Sequence, residues 1–278
     1  MRNTPKIFDG TASVYRNLAL AALVWTLAIA ASLAWNINLQ QEGAVNLAKN
    51  EAATHIGKDF AFRQWATSHG GVYVPVNPKT NTYPNPYLVA PERDIQTPSG
   101  RQLTLMNPAY MVRQMQQSAT TPFGVKGRIT SLKPLNPDNA PDAWETAVLQ
   151  AFDKGIKEVT ELTEVNGKPY LRAMRPFITE QGCLKCHGHQ GYKVGDVRGG
   201  VGAYVPMDTY LAAERGAIRI LSLTHGGIWL LGLVGIGFVA RRNLPLARER
   251  QAYTEALRQS EEQVRLLLNS TAEGIFGV

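Results

Sequence analysis

Two long apolar runs, one near each end, constrain what this chain can fold into more than any other feature. Residues 18–35 (LALAALVWTLAIAASLAW) carry no charge and reach the roughly 18 apolar residues a transmembrane helix needs. Residues 218–240 (IRILSLTHGGIWLLGLVGIGFVA) form the second run, with Arg219 at its start, His225 inside and Arg241-Arg242 closing it. A cleaved signal peptide is the plainer account of the first run, since Ser32-Leu33-Ala34 makes a passable small-x-small site. Signal h-regions are shorter, about 7–15 residues, so a span is the better reading. A buried core helix is the plainer account of the second run, but its glycines and abrupt Arg-Arg stop suit a membrane helix better.

The flanking charges orient the pair. Arg2, Lys6 and Arg16 against Asp9 precede the first run, and Arg241, Arg242, Arg248 and Arg250 follow the second. The positive-inside rule then expects both ends in the cytoplasm, with the bulk of the chain outside the cytoplasmic membrane, in a bacterium the periplasm. The net charge of +7 needs no nucleic-acid partner, because charges of both signs are interspersed in the middle segment and much of the surplus sits in span-flanking arginines. At 278 residues, 44% hydrophobic and with two cysteines, the chain is neither disordered nor a disulfide scaffold.

Between the runs, local patterns alternate between helix and strand. Residues 40–68 keep helical spacing up to a Gly70-Gly71 stop, followed by a strand at 72–76 and a Pro/Asn-rich loop at 77–98. A strand at 101–106, a helix at 108–117 with Pro108 in its first turn, a strand at 127–132 and a helix at 142–154 follow. Residues 158–177 read as a hairpin turning on Asn166-Gly167, the dipeptide a type I′ turn prefers because it tolerates positive φ. A strand at 197–205 and a helix at 207–217 complete the segment. The expected class is α+β, an antiparallel sheet backed by helices, with a long N-terminal helix, between two transmembrane helices.

One motif carries chemistry. Cys183-Leu184-Lys185-Cys186-His187 is a CxxCH, the pattern of covalent c-type haem attachment: two thiols form thioethers to the vinyl groups and the adjacent His reaches the iron. A dithiol redox pair would sit at a helix start in a βαβ pattern, which is not the context here. A structural zinc site needs wider ligand spacing than Cys183, Cys186, His187 and His189 offer. Haem c is attached outside the cytoplasmic membrane, where the charge rule independently places this loop, so one covalent haem c is expected.

His187 is then the proximal ligand, and the sixth position is open to several candidates. These are His55 and His69 on the first helix, Met106, Met111 and Met115, then Met174, His189 and Met207. The plainer account makes the methionines core filler and His69 a helix-end residue beside the last carbonyls. A His or Met there gives a low-spin redox centre, whereas an open position admits a diatomic gas. Arg172, Arg175, Lys185 and Lys193 lie near the motif and could pair with haem propionates, a solvated basic face being the plainer account.

After the second run, Tyr253, Leu257, Ser260, Val264, Leu267 and Thr271 recur at spacings of four and three. This imperfect heptad seam predicts a short parallel coiled coil and hence a homodimer, against the plainer single amphipathic helix. The stretch 257–278, above all LLLNSTAEGIFGV, resembles the opening helix and first strand of a cytoplasmic PAS domain, as found in bacterial sensor kinases and cyclic-di-GMP enzymes. The outer segment resembles the PAS-like periplasmic sensor domains that carry one c-type haem. That likeness rests on WATSHGGVYVPV (65–76), MNPAYMVRQM (106–115), NAPDAWE (139–145), NGKPYLRAMRP (166–176) and CLKCHGHQGYKVGDVRGG (183–200). It implies haem ligation through Cys183, Cys186 and His187, with a distal ligand from the long first helix moving His55 and His69 forward.

The expected organisation is a cytoplasmic N-terminus (1–17), a first span (18–38), a periplasmic haem domain (39–217), a second span (218–240), a signalling helix (241–268) and the start of a truncated PAS domain (269–278). The expected function is non-enzymatic: sensing of redox state or a small gas, relayed across the bilayer to a cytoplasmic output domain. The rival is a membrane-anchored monohaem cytochrome for electron transfer, which explains the haem equally well but leaves the second span and heptad seam without a use.

Overall fold

A computed structural model of the chain describes residues 10–118 and 124–276. It divides into Gln41–Arg215 and a second unit made of the flanking apolar segments. The helices α1 (Gly10–Ser68) and α5 (Asp208–Phe276) each run unbroken, α1 through the first span into the domain's first helix and α5 through the second span into the signalling helix. Between them come β1 (Val72–Pro75), β2 (Asp94–Gln96), β3 (Gln102–Met106), α2 (Pro108–Ser118), β4 (Lys126–Thr130), α3 (Ala143–Phe152), β5 (Val159–Val165), β6 (Lys168–Ile178), α4 (Leu184–His187) and β7 (Val197–Pro206).

Within Gln41–Arg215 the strands form two antiparallel sheets, ordered β1-β3-β2 and β4-β7-β6-β5, where one sheet was expected. The difference comes from the stretch at 77–98, which folds a 3-10 turn at Pro78–Thr80 and supplies β2 to pair with β3. Strand alternation builds the larger sheet's two faces. Leu171 and Ala173 of β6 and Val201, Ala203 and Val205 of β7 are buried with Ala48, Ala52 and Ile56 of α1. Val45, Ala48, Ala52, Ile56 and Phe60 recur every three or four residues, so one stripe of the helix meets that face. On the other parity, Met174 packs with Val148, Leu149 and Phe152 of α3. Gly200 permits this contact, since a Cβ there would lie 2.5 Å from the Met174 sulfur.

The hairpin β5–β6 turns on Asn166 (φ 52°) and Gly167 (φ 73°), with Val165 opposite Lys168, the backbone a type I′ turn requires. α3 begins at a capping box in which Asp142 accepts from the Glu145 N–H and Glu145 accepts from the Asp142 N–H.

In the flanking unit, the two apolar segments touch through small and polar side chains. A Cβ on Gly232 would fall 2.1 Å from Trp25 Nε1, so glycine allows the indole to lie against the helix. Trp25 Nε1–H donates to the Trp229 carbonyl (3.1 Å), Trp229 Nε1–H donates to Thr26 Oγ1 (3.0 Å), and Ser32 Oγ meets His225 Nε2 at 3.2 Å. Close approach at small residues and side-chain hydrogen bonds are how helices associate in lipid. Both helices are long and apolar enough to cross a membrane, and neither apolar window is buried inside the protein. At the far end α5 continues to Phe276, so the strand that the PAS likeness implies there is helical. A strand needs a neighbour for its backbone groups whereas a helix satisfies its own, and among the described residues no strand lies there.

Candidate functional site

The CxxCH segment is not an open loop. 3-10 turns at Gln181–Cys183 and Gly188–Gln190 flank α4, so the motif lies in consecutive helical turns. Spacings of three and four then bring Cys183, Cys186 and His187 to one side of the turn. Both thiols are free and half-buried. The Glu180 N–H donates to Cys183 Sγ at 3.4 Å, and burial pushes the Cys186 thiol up.

His187 is oriented from both nitrogens. Nδ1–H donates to Gln190 Oε1 (2.6 Å), and Gln190 Nε2 in turn donates to the Lys133 carbonyl (3.1 Å). Nε2 is left as the acceptor and takes a hydrogen bond from Arg198 Nη1 at 2.7 Å. Burial, then the neighbouring Arg198 charge, pull the imidazole down to about 4, so it is neutral at neutral pH, the form that ligates a metal.

Two adjoining cavities flank His187 and share Arg63, Phe177 and Arg198 as walls. The first, about 630 Å³ of empty space open to solvent, is also lined by Thr67, Gly71, Leu88, Leu105, Cys183 and Cys186. The second, about 620 Å³, is more polar, with Asn85, Tyr110, Arg113, Ser131, Lys133 and Asn136. Arg63, Arg113, Lys133, Lys185 and Arg198 supply the charge of the two linings, and among the described residues no carboxylate lines either cavity.

Arg63 and Arg198 lie over the Phe177 ring, at 4.0 and 5.2 Å from its centroid. Arg63 is 3% exposed, and its Nε and Nη1, like Nε of Arg198, are buried without a hydrogen-bond partner. Burial and the nearby Arg198 pull the Arg63 guanidinium down to about 9, against weaker opposing pulls from Cys183 and from Asp59, one helix turn back on α1.

The other sequence-derived candidates sit apart from these cavities. His55 is half-buried on α1 with Nε2 3.9 Å from Glu51, and His69 stacks on Trp65 with its Nδ1 on the Trp65 carbonyl (2.8 Å). Met106 is buried at the end of β3 and Met111 half-buried on α2. Met174 and Met207 belong to the two apolar clusters. None of these six, nor Met115 or His189, lines either cavity. Among the described residues no group of three His, Cys, Asp or Glu side chains is gathered to hold a metal ion.

Of the basic residues near the motif in sequence, Arg172 is engaged with Asp142 (2.6 Å) and Tyr204, and Arg175 with Glu158 (2.8 Å). Lys185 lines the first cavity and Lys193 lines neither. Sequence reasoning missed Arg63, Phe177, Gln190 and Arg198. Gln190 carried a local signal, a polar side chain three residues past the proposed ligand, but Arg63 is far from the motif along the chain and carried none.

No curated protein matches the chain. A solved structure titled crystal structure of the cyanobacterial heme-protein Tll0287 is 19% identical, over 58% of this chain and 94% of that one, with a TM-score of 0.38. Residues 40–206, more than half of the chain, match the Tll0287-like family. The chain therefore belongs to the Tll0287-like family.

Proposed function

We propose that this chain is a two-pass membrane sensor whose domain between the spans carries one covalent c-type haem. The observation that carries the reading is the presentation of His187: a neutral imidazole, its Nδ1–H held by Gln190, offers Nε2 on a cavity wall beside two free thiols. The residues present fit the group. The first cavity combines apolar walls from Leu88, Leu105 and Phe177 with cations and, among the described residues, no carboxylate, which suits a flat apolar ring bearing two carboxylates. A solved protein matched by this chain is itself titled a heme-protein.

In this reading Cys183 and Cys186 hold the group covalently and His187 ligates its iron. Bound there, haem supplies a one-electron redox centre with a sixth position for a second ligand. Among the described residues the cavities are lined by no further His, Met or Cys, which favours a position accessible to a diatomic gas over permanent His or Met ligation. The positive-inside rule supports a periplasmic domain with both ends cytoplasmic. The larger antiparallel sheet, with α1 on one face and α3 on the other, supports a PAS-like reading. Exposure of Tyr253, Leu257, Val264 and Leu267 along α5 supports a seam that pairs with a second copy and passes the signal to an output domain.

The test is production of the full chain in a host that matures c-type haem, with absorption spectra taken ferric, ferrous and ferrous with CO. Haem should remain on the wild-type chain in a denaturing gel and be lost from Cys183→Ala/Cys186→Ala. A CO-responsive ferrous spectrum is expected; a low-spin spectrum indifferent to CO would favour the electron-transfer rival, and a chain without haem would overturn the reading.

A further inference from the structure

Buried guanidinium groups normally sit against a carboxylate, because removing a cation from water is costly unless an anion and hydrogen bonds replace the solvent. The larger sheet follows that rule at Arg172, which pairs with Asp142 at 2.6 Å although its Nε, too, is without a partner. Arg63 and Arg198 break it. No ion pair forms at either among the described residues, three of their donor nitrogens are buried without partners, and both lie over Phe177 beside His187. Among the described residues the cavities they wall contain no acidic side chain. Asp59, one helix turn before Arg63, acts on it only beyond ion-pair distance and is bonded to Gln116, so neither guanidinium has a paired carboxylate and an anionic ligand would complete the arrangement.

Building on the haem reading above, we propose that Arg63 and Arg198 form a two-guanidinium clamp for the haem carboxylates. A guanidinium offers paired N–H donors in a fork that matches a carboxylate, which satisfies the orphaned nitrogens and the buried charge together. Arg198 plays a second part. Its Nη1 now occupies His187 Nε2, the atom through which the imidazole ligates iron, so loading requires Arg198 to give up that contact and turn to a carboxylate. Arg172 and Arg175 are nearer the motif in sequence than Arg63, but each already has its carboxylate and is excluded from the clamp.

The test uses the haem-loaded full chain, comparing wild type with Arg63→Leu, Arg63→Lys, Arg198→Leu and the control Arg175→Leu. Two readouts are taken: the resonance Raman propionate-bending band, which reports hydrogen bonding to the carboxylates, and the midpoint potential. Arg63→Leu and Arg198→Leu should each move the band to lower frequency and lower the potential, because an uncompensated carboxylate stabilises ferric iron. Arg63→Lys should keep the potential closer to wild type, and Arg175→Leu should change neither. An unmoved band in both leucine variants at wild-type haem content overturns the clamp while leaving the haem reading standing. If buffer anions rather than propionates fill the site, exchanging chloride for phosphate shifts the wild-type potential with the band fixed in every variant, and that also overturns it. A wild-type chain without covalent haem overturns the haem reading and the clamp with it. Should Arg63→Leu not accumulate, Arg63→Lys and Arg198→Leu carry the comparison.

Discussion

At the residue scale, His187 has one orientation because both of its ring nitrogens are engaged. Gln190 accepts from the Nδ1–H at 2.6 Å and is itself tied to the Lys133 carbonyl, so the tautomer with an unprotonated Nε2, which accepts from Arg198, is selected before any metal arrives. Outer partners of this kind raise ligand basicity, and a more basic imidazole favours ferric iron. Gln190→Ala should therefore raise the midpoint potential of the haem-loaded protein, opposite in sign to the loss of Arg63 or Arg198. Spectroelectrochemical titration checks it, and an unchanged potential would mean that packing, not Gln190, orients the ring.

The scale of the element is where α3 is locked to the sheet. Glu145, fully buried, accepts from Arg128 and from the Tyr204 hydroxyl, while Arg172 lies between the Trp144 and Tyr204 rings at 4.2 and 4.5 Å and bonds Asp142. Burial, reinforced by Glu145, pushes the Tyr204 hydroxyl well up, so it remains a donor at neutral pH. Burial of Asp142 is outweighed by the Glu145 N–H and Arg172, which hold its carboxyl below the usual range. A carboxyl that is more acidic in the folded than in the unfolded chain stabilises the fold above the unfolded-state value, near ~4. That stabilisation disappears as the pH falls through the folded-state value. Asp142→Asn keeps a side chain that caps helices, so it isolates the charge. It should cost about 1 kcal/mol or less at neutral pH, because Asp142 is half exposed and solvent screens the pair. The difference should vanish in acid, as read from urea midpoints across pH, and a pH-independent difference would assign the effect to packing.

For the whole molecule, the decisive feature is that a folded domain lies, in chain order, between two apolar helical segments. The proposed orientation predicts that alkaline phosphatase fused after residue 150 is active, and that a fluorescent protein fused after residue 276 folds in the cytoplasm. The reverse pattern would place the cysteines where c-type haem is not attached.

Much of this was legible along the chain. The apolar runs, the Asn166-Gly167 turn, the order of helices and strands and the CxxCH motif are local patterns, and local patterns are governed by backbone preference and spacing that a few neighbouring residues determine by themselves. What only the tertiary structure decided is which distant residues meet the motif. Phe177 and Arg198 flank it on β6 and β7, while Arg63 comes from α1, and packing of α1 against the sheet brings all three to His187. The same packing assigned Arg172 and Arg175 to Asp142 and Glu158, although both lie far closer to the motif in sequence than Arg63 does. Whether a buried cation has a counter-charge depends on three-dimensional distance, and distance between remote residues is set by how elements pack.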